Sequence, residues 1–268
     1  MPATQNLNNA PLEPAGEEVR TAIILAAGMG LRLKEKGKKN PKGLICLGDK
    51  SIIEESVIRL QSVGITRIVI VTGHLFEHYQ HLQRRFQDTV QLVHNPHFAD
   101  SGSMYSLFCA RHHVNGTFLL LESDLVYERR ALTTCLTHAS DNVVLLAGFS
   151  GTSDECFVET KGGDLASISK TRQSLGTEVN GELVGICKIS QSLFSEMIRT
   201  AEQRFCHTRH VAYETDSLVA ASQVMPISCP VIEDLVWCEI DDETHLTRAR
   251  NRIYPRVQEL DLHRDSTP

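Results

Sequence analysis

The chain has 268 residues, of which 41% are hydrophobic and 22% charged, and its formal net charge is −6. This length suits one large domain or one domain with a substantial insertion. The acidic balance argues against a general nucleic-acid binder, which needs clustered positive charge, and no apolar run reaches the ~18 residues of a membrane span.

The N-terminal segment differs in composition from the rest of the chain. Its Pro, Asn and Glu content predicts a disordered leader over residues 1–19, followed by a single domain over 20–268. The leader lacks the charged start and apolar middle of a secretory signal. The eight cysteines form no CxxC pair, so we expect reduced thiols and a cytoplasmic location.

Strand and helix patterns alternate through the first half of the chain. The predicted strands span 21–26, 67–73, 90–95, 117–124 and 143–149, and the predicted helices span 51–64, 75–86 and 103–113. This alternation predicts an α/β fold with a Rossmann-like, mostly parallel mixed sheet and helices on both faces.

The second half has shorter strands and Gly-rich turns, which predict a small inserted β lid over about 150–190. We expect this lid to bind the acceptor. Beyond it, the pattern predicts helices at 191–205 and 213–223, strands at 227–232 and 236–241, and a final helix from Glu243 to Tyr254.

The stretch LAAGMGLRL follows the first predicted strand directly. Ligands of parallel sheets sit at the carboxyl ends of strands, and small residues there let backbone N–H groups approach phosphate oxygens. Leu33 stands where a dinucleotide fingerprint needs its third glycine, and the spacing does not fit a P-loop. A tight turn without a ligand is the structural alternative. The candidate phosphate-binding residues are Leu25, Ala26, Ala27, Gly28, Met29 and Gly30.

Two cations accompany this loop. Arg32 lies within it, and Lys42 follows ten positions later inside NPKGL, where Pro41 restricts the backbone. Such cations can neutralise charge that develops on a phosphorus centre. The pattern LAAGxGxRx…PKxL resembles the signature of sugar-phosphate and alcohol-phosphate nucleotidyltransferases, which implies a GT-A-like form of the predicted fold.

Acidic residues end two of the predicted strands. Asp124 ends TFLLLESD, and Asp241 lies near the end of VWCEIDD, with Glu239 two positions earlier on the same face. Nucleotidyl transfer uses a divalent cation, and Mg²⁺ prefers a few carboxylates with water. These three residues are therefore candidate metal ligands. Helix capping is the alternative for both aspartates.

The segments PKGL, NPHFADSGSMYSL, ESDLVYE and WCEIDDETHL resemble the cytidylyltransferases that activate phosphocholine or 2-aminoethylphosphonate. The resemblance covers nearly all of the chain after residue 20. It implies that Asp124 and Asp241 hold Mg²⁺, that the Gly loop holds the triphosphate and that Lys42 contacts the phosphate under attack. It also implies that Ser101 and Ser103 help to read cytosine.

The sequence over the predicted lid resembles the aminoethylphosphonate group better than the phosphocholine group. Lys170, at the end of ISK, is then placed to reach the α-phosphate or the acceptor, with an exposed turn lysine as the alternative. A cationic amine on the acceptor would need a carboxylate or an aromatic partner. Asp154, Tyr213 and Glu214 are candidates for that role, although acids also favour helix starts.

The sequence therefore predicts a Mg²⁺-dependent cytidylyltransferase whose partners are CTP and a small phosphonate or phosphate, with 2-aminoethylphosphonate as the leading acceptor. The catalytic candidates are Lys42, Arg32 and Lys170. Three alternatives stay open: a phosphocholine cytidylyltransferase, another sugar-phosphate nucleotidyltransferase, and a nucleotide-binding regulator without catalysis. No nucleic-acid partner is expected, and a homodimer stays open.

Overall fold

The computed structural model describes residues 18–33, 40–152 and 155–265. The first 17 residues of the expected leader and the acceptor candidate Asp154 lie outside these ranges. The strands are β1 (Thr21–Ala26), β2 (Arg67–Thr72), β3 (Val90–His94), β4 (Phe118–Glu122), β5 (Leu125–Tyr127), β6 (Val143–Ala147), β7 (Phe157–Lys161), β8 (Asp164–Ser169), β9 (Val179–Ile189), β10 (Val231–Ile232) and β11 (Trp237–Glu239).

Helices connect and cover these strands. Within the described ranges, no helix combines the length and the apolar character that crossing a bilayer requires. Two π-helical turns, Tyr213–Leu218 and Ala249–Ile253, lead into α6 and α8 respectively. The α-helices are α1 (Ile52–Ser62), α2 (Gln80–Arg85), α3 (Ser103–Cys109), α4 (Arg130–Thr137), α5 (Gln191–Phe205), α6 (Val219–Ser222), α7 (Glu243–Arg248) and α8 (Tyr254–Asp265).

Nine of the described strands form one sheet in the order β10-β6-β9-β4-β1-β2-β3, and β7 and β8 extend it from β9. Strand β1 pairs in parallel with both β2 and β4. Strand β9 runs antiparallel between β4 and β6, and β11 pairs with β5 apart from the main sheet. The predicted α/β class with a mixed sheet is confirmed.

Buried side chains alternate between the two faces of the sheet. Ile23 and Val69 belong to one hydrophobic cluster, whereas Ile24 and Ile70 belong to the cluster on the opposite face. This period of two places successive residues of β1 and β2 in different layers. Because helices cover both clusters, the central strands read as continuous apolar runs.

One predicted helix end was wrong, and one helix was not delimited. The sequence analysis gave no bounds for helix α4, whose three threonines lower helix propensity. It forms because Ala131, Leu132 and Cys135 are buried. The last helical stretch does not end at Tyr254 but continues to Asp265. Pro255 closely follows the π-helical turn Ala249–Ile253, and such a local change of helical hydrogen bonding accommodates a residue that lacks an N–H donor.

The segment predicted as a lid divides between two parts of the sheet. Strands β7 and β8 form an antiparallel hairpin, and β9 runs through the sheet next to β4. Of the predicted strand at 227–232, only Val231–Ile232 is a regular strand. The carboxyl ends of β1 and β4 lie side by side at one edge, where a ligand is expected.

Candidate active site

The glycine loop begins where β1 leaves the sheet. Leu25, Ala26 and Ala27 are buried, whereas Gly28 is exposed. Gly30 has a φ of 59°, in the left-handed region that glycine adopts without strain. Its carbonyl accepts a hydrogen bond of 3.0 Å from the Leu33 N–H, which closes a short turn. The loop therefore bends sharply at the edge of the sheet while its small residues leave space beside it.

That space is a cavity of about 250 Å³, which we call the first cavity. Met29 is half-buried and is not among the residues that line it. Tyr79 and Phe98, which the sequence analysis did not identify, contribute aromatic walls. The residues predicted from the sequence that do line the first cavity are Leu25, Ala26, Ala27, Gly28, Gly30, Lys42, Ser101, Ser103, Asp124, Tyr213 and Glu214.

Lys42 is held at the edge of the first cavity by a tight contact of its loop. Gly43 lies so close to the end of β4 that an added Cβ would meet the Ser123 carbonyl oxygen at 3.0 Å. The Lys42 Nζ donates to Asp124 Oδ2 at 3.0 Å and to Asp241 Oδ1 at 2.5 Å. The loop thus fixes the ammonium between two carboxylates.

Arg32 reaches the same group from the glycine loop. Its Nη2 lies 2.6 Å from Asp241 Oδ1. Burial by itself would raise the pKa of Asp241, but the charges of Lys42 and Arg32 outweigh it and lower that pKa. Burial opposes the charge of Lys42, yet Asp124 and Asp241 raise the Lys42 pKa well above its usual value. The structure therefore brings four of the predicted residues together as ion pairs.

The helix-capping role that was the alternative for Asp241 belongs to the next residue, Asp242. Asp242 is the N-cap of α7, and its Oδ1 accepts a hydrogen bond of 2.8 Å from the His245 N–H. Asp124 lies between β4 and β5, and no helix of the described residues begins there. Both aspartates that the sequence placed at strand ends are therefore directed to the ion pairs and not to helix termini.

A second group of carboxylates lies beside Lys42. Oxygen atoms of Glu122, Asp124 and Glu239 lie within 4.8 Å of one another. Burial and the neighbouring acids raise the pKa of Glu122 to about 8 and that of Glu239 to about 9. A buried aspartate between two half-buried glutamates, which oppose one another's ionisation, fits a hard divalent cation that prefers oxygen ligands. We call these three residues the acidic cluster.

The acidic cluster differs from the predicted ligand set in one member. Asp241 pairs with the two cations and is not part of the cluster, and Glu122 stands in its place. The sequence analysis chose Glu239 because it lies two positions before a strand-end aspartate. The same pattern, Glu-x-Asp, places Glu122 two positions before Asp124, so this signal was available in the sequence.

Tyr213 and Glu214 lie on the wall of the first cavity, near the acidic cluster. The Tyr213 hydroxyl donates to Glu122 Oε1 at 2.8 Å. The Ser103 hydroxyl donates to Glu214 Oε2 at 3.1 Å and accepts from the Tyr213 N–H at 2.9 Å. The π-helical turn at Tyr213 thus connects the start of α3 to Glu122. Tyr213 and Glu214, which were acceptor candidates, therefore border the cavity predicted to bind the nucleotide.

A second cavity of about 370 Å³ lies on the other side of the acidic cluster. Glu239 lines it, and so does Lys170, an exposed residue that follows β8. The structure therefore places Lys170 in a different cavity from Lys42. We call this space the second cavity.

We expect Gly28→Ala to weaken CTP binding without loss of stability. A Cβ built at Gly28 meets no atom within 4 Å, so it would project into free space at the cavity and obstruct a ligand. Overpacking of this kind should raise the CTP dissociation constant roughly tenfold, measured by calorimetry. Gly102→Ala is the contrasting variant, because its Cβ would overlap the Val211 backbone and lower the melting temperature. An unchanged CTP affinity of Gly28→Ala would contradict the prediction that the glycine loop binds the nucleotide.

We expect Glu122→Gln to stabilise the metal-free protein. The substitution removes a carboxyl group that burial and its neighbours hold protonated near neutral pH at a cost to folding, and the amide oxygen can still accept from Tyr213. In EDTA the melting temperature should therefore rise. The additional rise on adding Mg²⁺ should be smaller than in the wild type, because one ligand charge is gone. An equal response of both proteins to Mg²⁺ would contradict the role of Glu122 in the acidic cluster.

Comparisons with known proteins identify relatives of this chain. A 99-residue stretch is 34% identical to choline-phosphate cytidylyltransferase of Streptococcus pneumoniae and covers 37% of this chain and 42% of that protein. A 118-residue stretch is 32% identical to 2-aminoethylphosphonate cytidylyltransferase of Lancefieldella rimae and covers 44% of this chain and 48% of that protein. The chain thus matches less than half the length of either relative.

The fold and the family are also recognised. The inositol-1-phosphate CTP transferase from T. maritima has a TM-score of 0.76 to this chain at 18% identity and covers 92% of this chain and 98% of its own. At that identity the likeness shows the fold. The sequence model of the MobA-like NTP transferase domain matches residues 22–261. The family resemblance that the motifs indicated is confirmed.

Proposed function

Because the chain belongs to the MobA-like NTP transferase domain family, we propose that it transfers CMP from CTP to 2-aminoethylphosphonate and releases pyrophosphate. One observation carries this proposal. Lys42 and the acidic cluster lie between two cavities, one bordered by the glycine loop and the other by Lys170. A nucleotide in the first cavity and an acceptor in the second would then meet at the charged groups.

The glycine loop and the two cations would bind the triphosphate. Backbone N–H groups of residues 28–30 can donate to phosphate oxygens at the end of β1. A lysine ammonium has three N–H donors, and two of those of Lys42 are used by Asp124 and Asp241. The third is available to a phosphate oxygen. Asp241 would thus orient Lys42 and Arg32 toward the reacting phosphate.

The acidic cluster fits Mg²⁺, which Glu122, Asp124 and Glu239 would hold. When bound, Mg²⁺ supplies charge neutralisation on the triphosphate oxygens. An oxygen of the acceptor phosphonate forms the new bond to the α-phosphorus of CTP, and the bond to pyrophosphate breaks. The phosphonate oxygen is already ionised near neutral pH, so the chain needs no general base. Positioning and charge stabilisation by Lys42 would carry the rate.

A buried asparagine supports selection of cytosine. The Asn95 Oδ1 accepts a hydrogen bond from the His97 N–H at 2.9 Å, so the amide NH₂ group of Asn95 faces two serines. Its Nδ2 donates to Ser101 Oγ at 3.1 Å and to Ser106 Oγ at 3.0 Å. Both hydroxyls line the first cavity and keep their own hydrogens for a ligand. Two O–H donors suit N3 and O2 of cytosine, whereas uracil presents an N–H at N3.

The proposed function is tested by pyrophosphate release with Mg²⁺ across nucleotides and acceptors. We expect release with CTP in preference to UTP, and with 2-aminoethylphosphonate in preference to phosphocholine and a sugar 1-phosphate. Faster release with phosphocholine would support the same site and mechanism but identify phosphocholine, and not 2-aminoethylphosphonate, as the preferred acceptor. Binding of CTP without release for any acceptor would favour a nucleotide-binding regulator and reject the proposal.

A further inference from the structure

We propose that the second cavity binds the acceptor and that Glu182 makes it selective for phosphonates carrying a primary ammonium group. This inference rests on the proposed function and names the substrate class of the same site. Glu182 lies on β9, and the sequence analysis did not identify it. The three acceptor candidates chosen there were Asp154, Tyr213 and Glu214.

The second cavity is placed for the acceptor because it meets the first at the acidic cluster. Glu122 and Asp124 line the first cavity, whereas Glu239 lines the second. Since oxygens of these three residues lie within 4.8 Å of one another, ligands in the two cavities would approach one another across the cluster. In-line transfer requires the acceptor oxygen to approach the α-phosphorus opposite the leaving pyrophosphate, and a separate acceptor cavity beside the cluster permits such an approach.

One part of the second cavity suits an anion. Lys170, Arg248 and Arg252 line it. The Arg248 Nε is buried and has no hydrogen-bond partner among the described residues. A buried guanidinium N–H without a partner is costly, and a phosphonate oxygen would satisfy it. The anionic end of the acceptor is therefore expected beside Arg248 and Lys170.

Another part of the second cavity suits a cation. Glu182 is 2% exposed and lines the cavity, and its carboxylate accepts a hydrogen bond from the Ser150 N–H. Glu155 also lines the cavity. Burial and the nearby Glu155 raise the pKa of Glu182, and together they outweigh the Ser150 hydrogen bonds and the Arg248 charge, which lower it. A cation beside these two acids would relieve both effects, and the Ser150 and Thr152 hydroxyls offer further oxygen acceptors.

The side chains around this cavity favour a primary over a quaternary ammonium. Trp237 is the one Trp, Tyr or Phe side chain that lines the cavity in the described part of the chain. Quaternary ammonium groups have no N–H donors and are bound by several aromatic faces. A primary ammonium has three donors that carboxylate and hydroxyl oxygens can accept. The chemistry of the cavity thus fits an aminoalkylphosphonate better than phosphocholine.

The test compares Glu182→Gln with the wild type on three acceptors: 2-aminoethylphosphonate, ethylphosphonate and phosphocholine. Glutamine keeps the shape and can still accept from Ser150, and ethylphosphonate lacks only the amine. With CTP saturating, we expect kcat/KM for 2-aminoethylphosphonate to fall roughly 10- to 100-fold, since a charge-assisted contact is lost. The value for ethylphosphonate should change less than about twofold. An equal fall for both phosphonates would overturn the role of Glu182.

Two further measurements distinguish failure of this inference from failure of the proposed function. Glu202→Gln, on the exposed surface of α5, is the charge-matched control and should behave as the wild type. If no acceptor supports release, the proposed function fails, and calorimetry with 2-aminoethylphosphonate then decides the inference. Binding to the wild type that weakens in Glu182→Gln supports the ammonium site. Absent binding, or equal binding to both proteins, overturns it, as does a wild-type preference for phosphocholine.

Discussion

Lys42→Ala is expected to lower the turnover number for pyrophosphate release at least ~100-fold, in line with the loss of one preorganised charge-stabilising donor. The ammonium is fixed by two carboxylates, at 3.0 Å from Asp124 and 2.5 Å from Asp241. Its third donor can therefore reach a phosphate oxygen without further ordering of the side chain. The loss should appear in the turnover number at saturating CTP, because the contact strengthens as charge develops on the phosphate.

The matched control is Lys161→Ala, an exposed lysine at the end of β7. Its turnover should equal that of the wild type. Thermal unfolding of both variants shows whether the fold is retained, since removal of Lys42 leaves two acids with less compensation. Turnover of Lys42→Ala at the wild-type level would remove this residue from the proposed mechanism.

Asp124→Asn is expected to abolish measurable metal binding and to lower turnover by at least about 100-fold. Asp124 is the one residue of the described site that belongs both to the acidic cluster and to the Lys42 ion pairs. The substitution removes a hard anionic ligand and one partner of the ammonium together. The melting temperature is measured as Mg²⁺ is added. That of the wild type should rise, and that of the variant should stay unchanged.

Asp141→Asn, an exposed residue in the loop before β6, controls for a surface change of the same charge. We expect its Mg²⁺ response and turnover to match the wild type. A Mg²⁺-dependent rise in Asp124→Asn as large as in the wild type would place the metal elsewhere in the protein.

The fold class could be predicted because its signals are local. The strand at Thr21–Ala26 and the helix at Gln191–Phe205 have the predicted bounds, since apolar period and capping residues define them along the chain. Helix α4 was missed because its stability comes from burial of Ala131 and Leu132 against the rest of the domain. Packing of this kind is not visible in a single sequence.

The charged groups of the site were found from motif and position, but their partners were not. The sequence placed Asp124 and Asp241 at strand ends and Lys42 in the PKGL motif, and the structure adds that Asp241 pairs with the cations. Glu182 could not be chosen, because it lies within a buried strand and becomes part of a cavity only when β9 packs beside β6. Assignment of these residues to metal, nucleotide and acceptor stays a prediction.

The central claim is that the chain joins CMP to an aminoalkylphosphonate, and phosphorus NMR of the reaction mixture tests it most directly. With CTP, Mg²⁺ and 2-aminoethylphosphonate, we predict a new phosphonate signal coupled to a phosphate signal, in step with pyrophosphate. Such coupling requires the P–O–P bond of CMP-aminoethylphosphonate. An unchanged phosphonate signal, with CTP either intact or hydrolysed to CMP and pyrophosphate, would contradict the claim.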